Sequence, residues 1–142
     1  MAPESGEGAP GAVSRTAELE NLEIFQDFLL QCAARFGLER RRTGLLTVAI
    51  EEIFVNICHY AYPDAPGPVT MRCHDEGDRL VVEIVDEGQP FNADTVALPD
   101  LEADLESRKI GGLGWFIVRQ AVDDLHCYRK DGRNIVTLAL NR

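Results

Sequence analysis

Three short segments of this 142-residue chain hold residue types whose spacing can do chemistry. The first is Glu52-x-x-x-Asn56, set in an apolar run, LLTVAIEEIFVNICHYAY. Four residues apart on a helix, the two side chains share a face one turn apart. A carboxylate and a carboxamide so placed can offer oxygens to a hard cation such as Mg²⁺ or to its waters. Glu52 can also accept a proton. The ordinary alternative is a solvated Glu52 and an Asn56 bonded to a neighbouring loop. Glu51 is read as solvated or as tuning Glu52.

The second segment is DEGQPF, residues 86–91. Asp86 closes a strand, where its carboxylate can point into a cleft and accept from an exocyclic amine such as that of adenine. Gly88 permits close approach of the backbone and Pro90 stiffens the exit. A plain strand-to-loop turn with Asp86 as a capping acceptor is the alternative. The third segment is IGGLG, residues 110–114, directly before a helix. Free backbone N–H groups at a helix N-terminus favour anions and make a phosphate cradle. The segment lacks the GK[ST] of a P-loop. No strand directly precedes it and no downstream acid follows, so it is not a dinucleotide fingerprint. A structural role for its glycines stays open.

These segments need elements to hold them. Residues 17–36 place Leu22, Phe25, Leu29, Cys32, Ala33 and Phe36 at helical spacing, with Thr16 as N-cap and Gly37 as the stop. VSRT, just before, reads as a short edge strand. A second helix is expected from Arg40 to Tyr60, its stripe formed by Leu46, Ala49, Ile50, Ile53, Ile57 and Ala61. Pro63 stops it. Residues 68–75 and 79–86 read as strands joined by a DEGD hairpin. From Glu87 to Lys109 the pattern is turn chemistry, with a helical turn at Ala103–Arg108, and a connection of this length is often functional. A third helix runs from GGLG to about Asp124. A last hairpin, LHCYRK-DG-NIVTLAL, closes the chain. Helices grouped with antiparallel strands point to an α+β sandwich, with the helices on one face of the sheet.

Composition narrows the function. The size is that of one domain, and 45% hydrophobic residues is an ordinary globular value. Residues 1–12, rich in Gly, Pro, Ala and Glu, read as a flexible tail, and 13–142 as the folded domain. A net charge of −10 argues against nonspecific binding to nucleic acid or anionic membrane. No apolar stretch is long enough to span a membrane, and no signal peptide is evident, so a cytoplasmic location is expected. Cys32, Cys58, Cys73 and Cys127 form no CxxC pair and are expected as buried free thiols. Arg40, Arg41 and Arg42 open the second helix where the dipole disfavours cations. They read as a solvated face or as a docking patch for an acidic partner.

The order of the three segments resembles the GHKL ATPase superfamily, and within it the small anti-sigma-factor serine kinases. EEIFVNICHYAY is similar to that family's N box, DEGQPFN to its D-x-G-x-P-F box, and GGLGWFIVRQAVDDL to its glycine-rich segment. RKDGRNIVTLAL is similar to its closing hairpin, so the likeness spans about residues 14–140. It implies a Bergerat ATP-binding fold, a two-layer α/β sandwich with a mixed, mainly antiparallel sheet. It implies ATP and Mg²⁺ as cofactors, with Asn56 on the metal and Glu52 as the base facing the acceptor hydroxyl. Asp86 would read the adenine amine, with Gly88 beside the base. Pro90, Phe91, Gly111, Gly112, Leu113 and Gly114 fall in the boxes that line the nucleotide, and 92–110 would be its lid. Arg108 and Lys109, at the lid's end, can reach the γ-phosphate or remain solvated.

The resemblance further implies a STAS-domain anti-anti-sigma protein as substrate, a sequestered sigma factor, and a homodimer. Pro90, and Ile110 ahead of the glycines, depart from the histidine-kinase boxes toward the anti-sigma group. Tyr60 stands where the N box often has His, with His59 before it, and Trp115 stands where a smaller or aliphatic residue is usual. Two other readings compete with the kinase. One is a nucleotide-binding module that holds a sigma factor or other regulator without phosphorylating it; the carboxylate at Glu52 speaks against it. The other is a stand-alone histidine-kinase core, which needs an upstream phosphoacceptor that His59, His74 and His126 do not supply.

Overall fold

The computed structural model describes residues 11–90 and 112–142, with side chains in the second stretch from Phe116 onward. Strand β1 (Ala12–Thr16) leads through a 3-10 turn, Leu19–Asn21, into helix α1 (Leu22–Phe36). Helix α2 (Arg40–Tyr60) follows, then strands β2 (Pro68–Asp75) and β3 (Arg79–Asp86). Helix α3 (Gly112–Ala121) precedes the hairpin of β4 (Asp124–Lys130) and β5 (Arg133–Asn141). The strands form one sheet in the order β1-β2-β3-β5-β4. Every described pairing is antiparallel, so the mainly antiparallel sheet expected from the sequence is wholly so among these strands.

Period-2 alternation decides which face is buried. Val69, Met71 and Cys73 of β2, Leu80, Val82 and Ile84 of β3, and Val136, Leu138 and Leu140 of β5 all join one core. Against that face lie Phe25, Leu29, Cys32 and Phe36 of α1, Leu46, Ile50, Ile53 and Ile57 of α2, and Val118 and Ala121 of α3. The result is two layers, helices over sheet. The rings of Phe25 and Phe54 meet at 5.0 Å and fix α1 against α2. The β4–β5 turn is Asp131-Gly132, both at positive φ (54° and 77°), the geometry that suits a two-residue hairpin loop.

Three boundaries differ from the sequence expectation. Thr16 is not an N-cap but the last residue of β1, since the backbone N–H of Ala17 donates to Gly67 O at 2.8 Å and keeps the chain extended. The side chain of Asn21 turns back onto Thr16 O, and α1 starts only at Leu22. Helix α3 stops at Ala121 rather than Asp124, because Asp123 is drawn to the sheet edge. Its N–H donates to Ala139 O, and its carboxylate accepts from Asn141 N at 2.7 Å and from Arg42. Of the four cysteines, Cys32 and Cys73 are buried and all are free, but Cys58 is half-buried and Cys127 is exposed. Cys127 lies on strand β4, at the edge of the sheet, where cover is thinner. The turn expected at 103–108 and residues 1–10 of the tail lie outside the described residues.

Among the described residues, no helix is long and apolar enough to cross a membrane. Phe25 is wholly buried whereas Leu30, on the same helix, is 44% exposed. Phe25→Ala should therefore lower the unfolding free energy by about 3–5 kcal/mol, and Leu30→Ala by less than about 1 kcal/mol. Urea midpoints of the two variants against the parent check the orientation of α1.

Candidate functional site

The apolar face of the sheet ends in polar residues at one edge. Along β3 the buried positions run Leu80, Val82, Ile84 and then Asp86, and along β5 Leu140, Leu138, Val136 and then Asn134. Asp86 and Asn134 are the buried polar residues of the described chain, each 5% exposed. They are cross-strand partners, and Asn134 Nδ2 donates to Asp86 Oδ1 at 2.8 Å. The backbone N–H of Gly88 donates to the same oxygen at 2.9 Å. No described residue bonds Oδ2, and that oxygen is not sealed from solvent.

Burial is the main reason the Asp86 carboxyl titrates above the ordinary carboxylate range. The bonds from Asn134 and Gly88 and the charge of Arg129 pull the other way, while Glu87 adds to the rise. Burial therefore makes the ionised carboxyl costlier in the folded chain than in the unfolded one. Its contribution to stability is present at low pH and is lost as pH rises through the folded-state pKa.

Gly88 brings this turn against the end of α2. A Cβ on Gly88 would lie 2.3 Å from Ala61 O and 2.5 Å from Ala61 Cβ, so only glycine allows the approach. Gln89 N then donates to Ala61 O at 2.8 Å, and its side chain reaches Tyr60 O. Tyr62 closes the far side: its hydroxyl donates to Pro68 O and accepts from Glu87 N at 2.6 Å. Burial raises the Tyr62 pKa, which keeps that hydroxyl a donor.

Asn56 and Glu52 lie one and two turns back from Tyr60 on the same row of α2, about 6 Å apart per step. Both are half-buried, beside the sheet-facing stripe rather than opposite it, and Glu51 is exposed. The Nδ2 atom of Asn56 is buried and has no hydrogen-bond partner among the described residues. The ordinary reading, an Asn bonded to a neighbouring loop, is thus not what the described chain contains. A buried amide with nothing to bond is a place where a ligand is missing a partner.

Nδ2 is a donor, so Asn56 would serve Mg²⁺ of the kind held mainly by phosphate and water only through its Oδ1. Such an ion takes one or two protein oxygens, and a half-turn of the amide presents Asn56 Oδ1. No group of three or more His, Cys, Asp or Glu among the described residues could hold a metal by itself. Gly112 and Gly114 open α3, which packs beside α2. Phe91, Arg108, Lys109, Gly111 and the lid 92–110 lie outside the described residues, as do the side chains of Leu113 and Trp115.

The structure thus joins Asp86, Gly88 and Gln89 to the helix that carries Glu52 and Asn56. Sequence reasoning missed Asn134, Arg129 and Ala61. Asn134 left a signal, a carboxamide at the first inward position of an otherwise apolar strand. The Arg40–Arg42 patch loses one member. Arg42 donates to Asp123 and to Asn141 O at 2.6 Å each, fastening α2 to the sheet, and only Arg40 and Arg41 are exposed.

Comparison with known proteins follows the geometry. Residues 15–140 match the family described as histidine kinase-like ATPase domain. The serine-protein kinase RsbW of Listeria innocua is 28% identical over 109 residues, covering 73% of this chain and 69% of the relative. The protein of the same name from Bacillus mycoides is 26% identical over 124 residues, 84% of this chain and 78% of the relative. The crystal structure of the RsbU and RsbW domains of a Mycobacterium tuberculosis protein is similar in fold, with a TM-score of 0.62 at 16% identity. It covers 93% of this chain, which spans only 32% of that one.

Two substitutions separate packing from chemistry. Gly88→Ala should destabilise the domain by about 1–3 kcal/mol through overpacking on Ala61, read as a lower urea midpoint. Asp86→Asn removes the ionised group that burial penalises. Its melting temperature at pH 8 should equal or exceed the parent's, with the margin shrinking as pH falls.

Proposed function

The chain belongs to the histidine kinase-like ATPase domain family, and from that premise we propose an ATP- and Mg²⁺-dependent protein serine/threonine kinase of the anti-sigma-factor type. The family carries ATP binding, and the curated relatives named serine-protein kinase carry the reaction class. The observation that supports the site assignment is the orphan amide of Asn56. It stands one turn from Glu52, on the helix bonded to the Asp86 turn.

In this reading Asp86 Oδ2 accepts from the adenine amine, and Gly88, Pro90 and Phe91 border the base. Gly111, Gly112, Leu113 and Gly114 receive the phosphates at the start of α3, where backbone N–H groups and the helix dipole favour anions. Asn56 would hold Mg²⁺, which when bound would supply neutralisation of charge on the phosphate oxygens. Glu52 accepts the proton of a partner's serine or threonine hydroxyl as that oxygen bonds the γ-phosphorus. The bond from phosphorus to the bridging oxygen breaks and ADP leaves. Arg108 and Lys109 reach the γ-phosphate from the lid. The substrate is a STAS-domain anti-anti-sigma protein, and the unphosphorylated partner competes with a sigma factor for a homodimer of the domain formed by residues 13–142. The setting is the cytoplasm, where such partners work.

Incubation with γ-labelled ATP, Mg²⁺ and a STAS-domain protein tests this. Transfer to a serine or threonine of the partner is expected, and Glu52→Gln should lower the rate at least about 100-fold while ATP affinity changes less than about threefold. Asn56→Ala should lose the Mg²⁺ dependence of ATP binding. Tight ATP binding with no transfer to any partner would leave only a regulatory binding module.

A further inference from the structure

The polar edge of the sheet extends one strand beyond Asp86 and Asn134. Arg129 of β4 is the register partner of Asn134, which is in turn the register partner of Asp86. Three side chains from three strands therefore stand in one cross-strand row. Arg129 Nη1 donates to Asn134 Oδ1 at 3.0 Å and to Gly88 O at 3.1 Å. Asn134 Nδ2 donates to Asp86 Oδ1 and also to Gln89 O, both at 2.8 Å.

A carboxamide can turn over and exchange its donor and acceptor ends. Arg129 on Oδ1 and Gln89 O on Nδ2 together hold Nδ2 toward Asp86. Asp86 Oδ1 is then filled by two N–H donors, from Asn134 and Gly88, and the carboxylate plane is fixed. The same guanidinium holds Gly88 O, so one arginine sets both the acceptor and the turn that carries it.

We propose that Arg129, acting through Asn134, is the positioning and specificity-determining residue that makes Asp86 an acceptor for the 6-amino group of a purine. The inference rests on the adenine-reading role proposed for Asp86. Neither residue touches the base. Arg129 works by bracing Asn134 Oδ1 and Gly88 O together, and Asn134 by leaving Oδ2 as the one unfilled oxygen among the described contacts. A purine with a 6-oxo group offers an acceptor where Oδ2 needs a donor, and is rejected.

ATP and inosine triphosphate differ at C6, amine against carbonyl, and at the adjacent N1, acceptor against N–H donor, so the pair reads the Watson–Crick edge that Oδ2 is proposed to face. Equilibrium dissociation constants for both, with Mg²⁺, are measured by titration calorimetry on the full chain and on Arg129→Gln, Arg129→Lys, Asn134→Asp and Asp86→Asn. Far-ultraviolet circular dichroism and melting temperature confirm that each is folded. Arg129→Gln should weaken ATP about tenfold and inosine triphosphate by less than about twofold, which collapses the preference. Arg129→Lys keeps a cationic donor and should restore part of it. Asn134→Asp sets an acceptor against Asp86 and should abolish the preference. An unchanged ATP-to-inosine preference in folded Arg129→Gln and Asn134→Asp, with preference lost in Asp86→Asn, overturns the positioning role alone. Preference unchanged in Asp86→Asn as well overturns the adenine-reading role and this inference with it.

Discussion

A carboxylate buried at the end of an apolar sheet face has to be hydrogen-bonded, or the fold around it fails. Asp86 meets that demand with two donors, one from the turn that follows it and one from the neighbouring strand. Each donor fixes another part of the chain. Gly88 can offer its N–H only while it lies flat against Ala61, which ties the end of β3 to the end of α2. Asn134 can offer its amide only while β5 keeps its register with β3. The relative placement of strand, turn and helix is thus set by the needs of a single charge.

Helix α2 is asked to do two things, and its faces divide the work. The stripe from Leu46 through Ile57 is buried in the core. The half-buried Glu52 and Asn56 and the exposed Tyr60 form a row along the flank of that stripe. The N-terminal end carries three arginines against the helix dipole. Part of that opposition is offset by Arg42, whose bonds to Asp123 and Asn141 O convert an unfavourable charge into a link between helix and sheet. The N–H of Asn141, and after it Arg42, hold the Asp123 carboxyl below its usual range.

Much of this was legible in the sequence because it depends on local pattern. Strong periodicity gave α2, β2 and β3 to the residue, and Asp131-Gly132 gave the last turn. The boxes placed Glu52, Asn56, Asp86 and Gly88 on the elements that carry them. What escaped depends on contacts between distant segments. Thr16 looks like a cap until Gly67 binds the next N–H, and Asp123 looks helical until Arg42 and Asn141 claim its carboxylate. Cys127 sits in an alternating strand, and only its place at the sheet edge leaves it exposed. The role of Arg129 needs two registers to be known together, and no single segment contains both.

The two ends of the site differ in a way that bears on how it works. At the Asp86 end, the described polar groups are mostly satisfied within the protein: Arg129 on Asn134, Asn134 on Asp86 and Gln89, Gly88 on Asp86. Such a row recognises by rigidity, because any ligand must match one remaining oxygen in one plane. At the Glu52 end the reverse holds. Among the described residues, the buried amide nitrogen of Asn56 has no partner and none bonds Glu52. A buried polar group left unbonded destabilises the empty domain, and a ligand that completes it recovers that deficit on binding. In the proposed reading, recognition is built in advance at one end, and at the other it is completed only by phosphate, metal and hydroxyl together. In the proposed kinase reading that division has a purpose, since interactions completed only by the reacting groups are those that favour the transition state over the bound substrate.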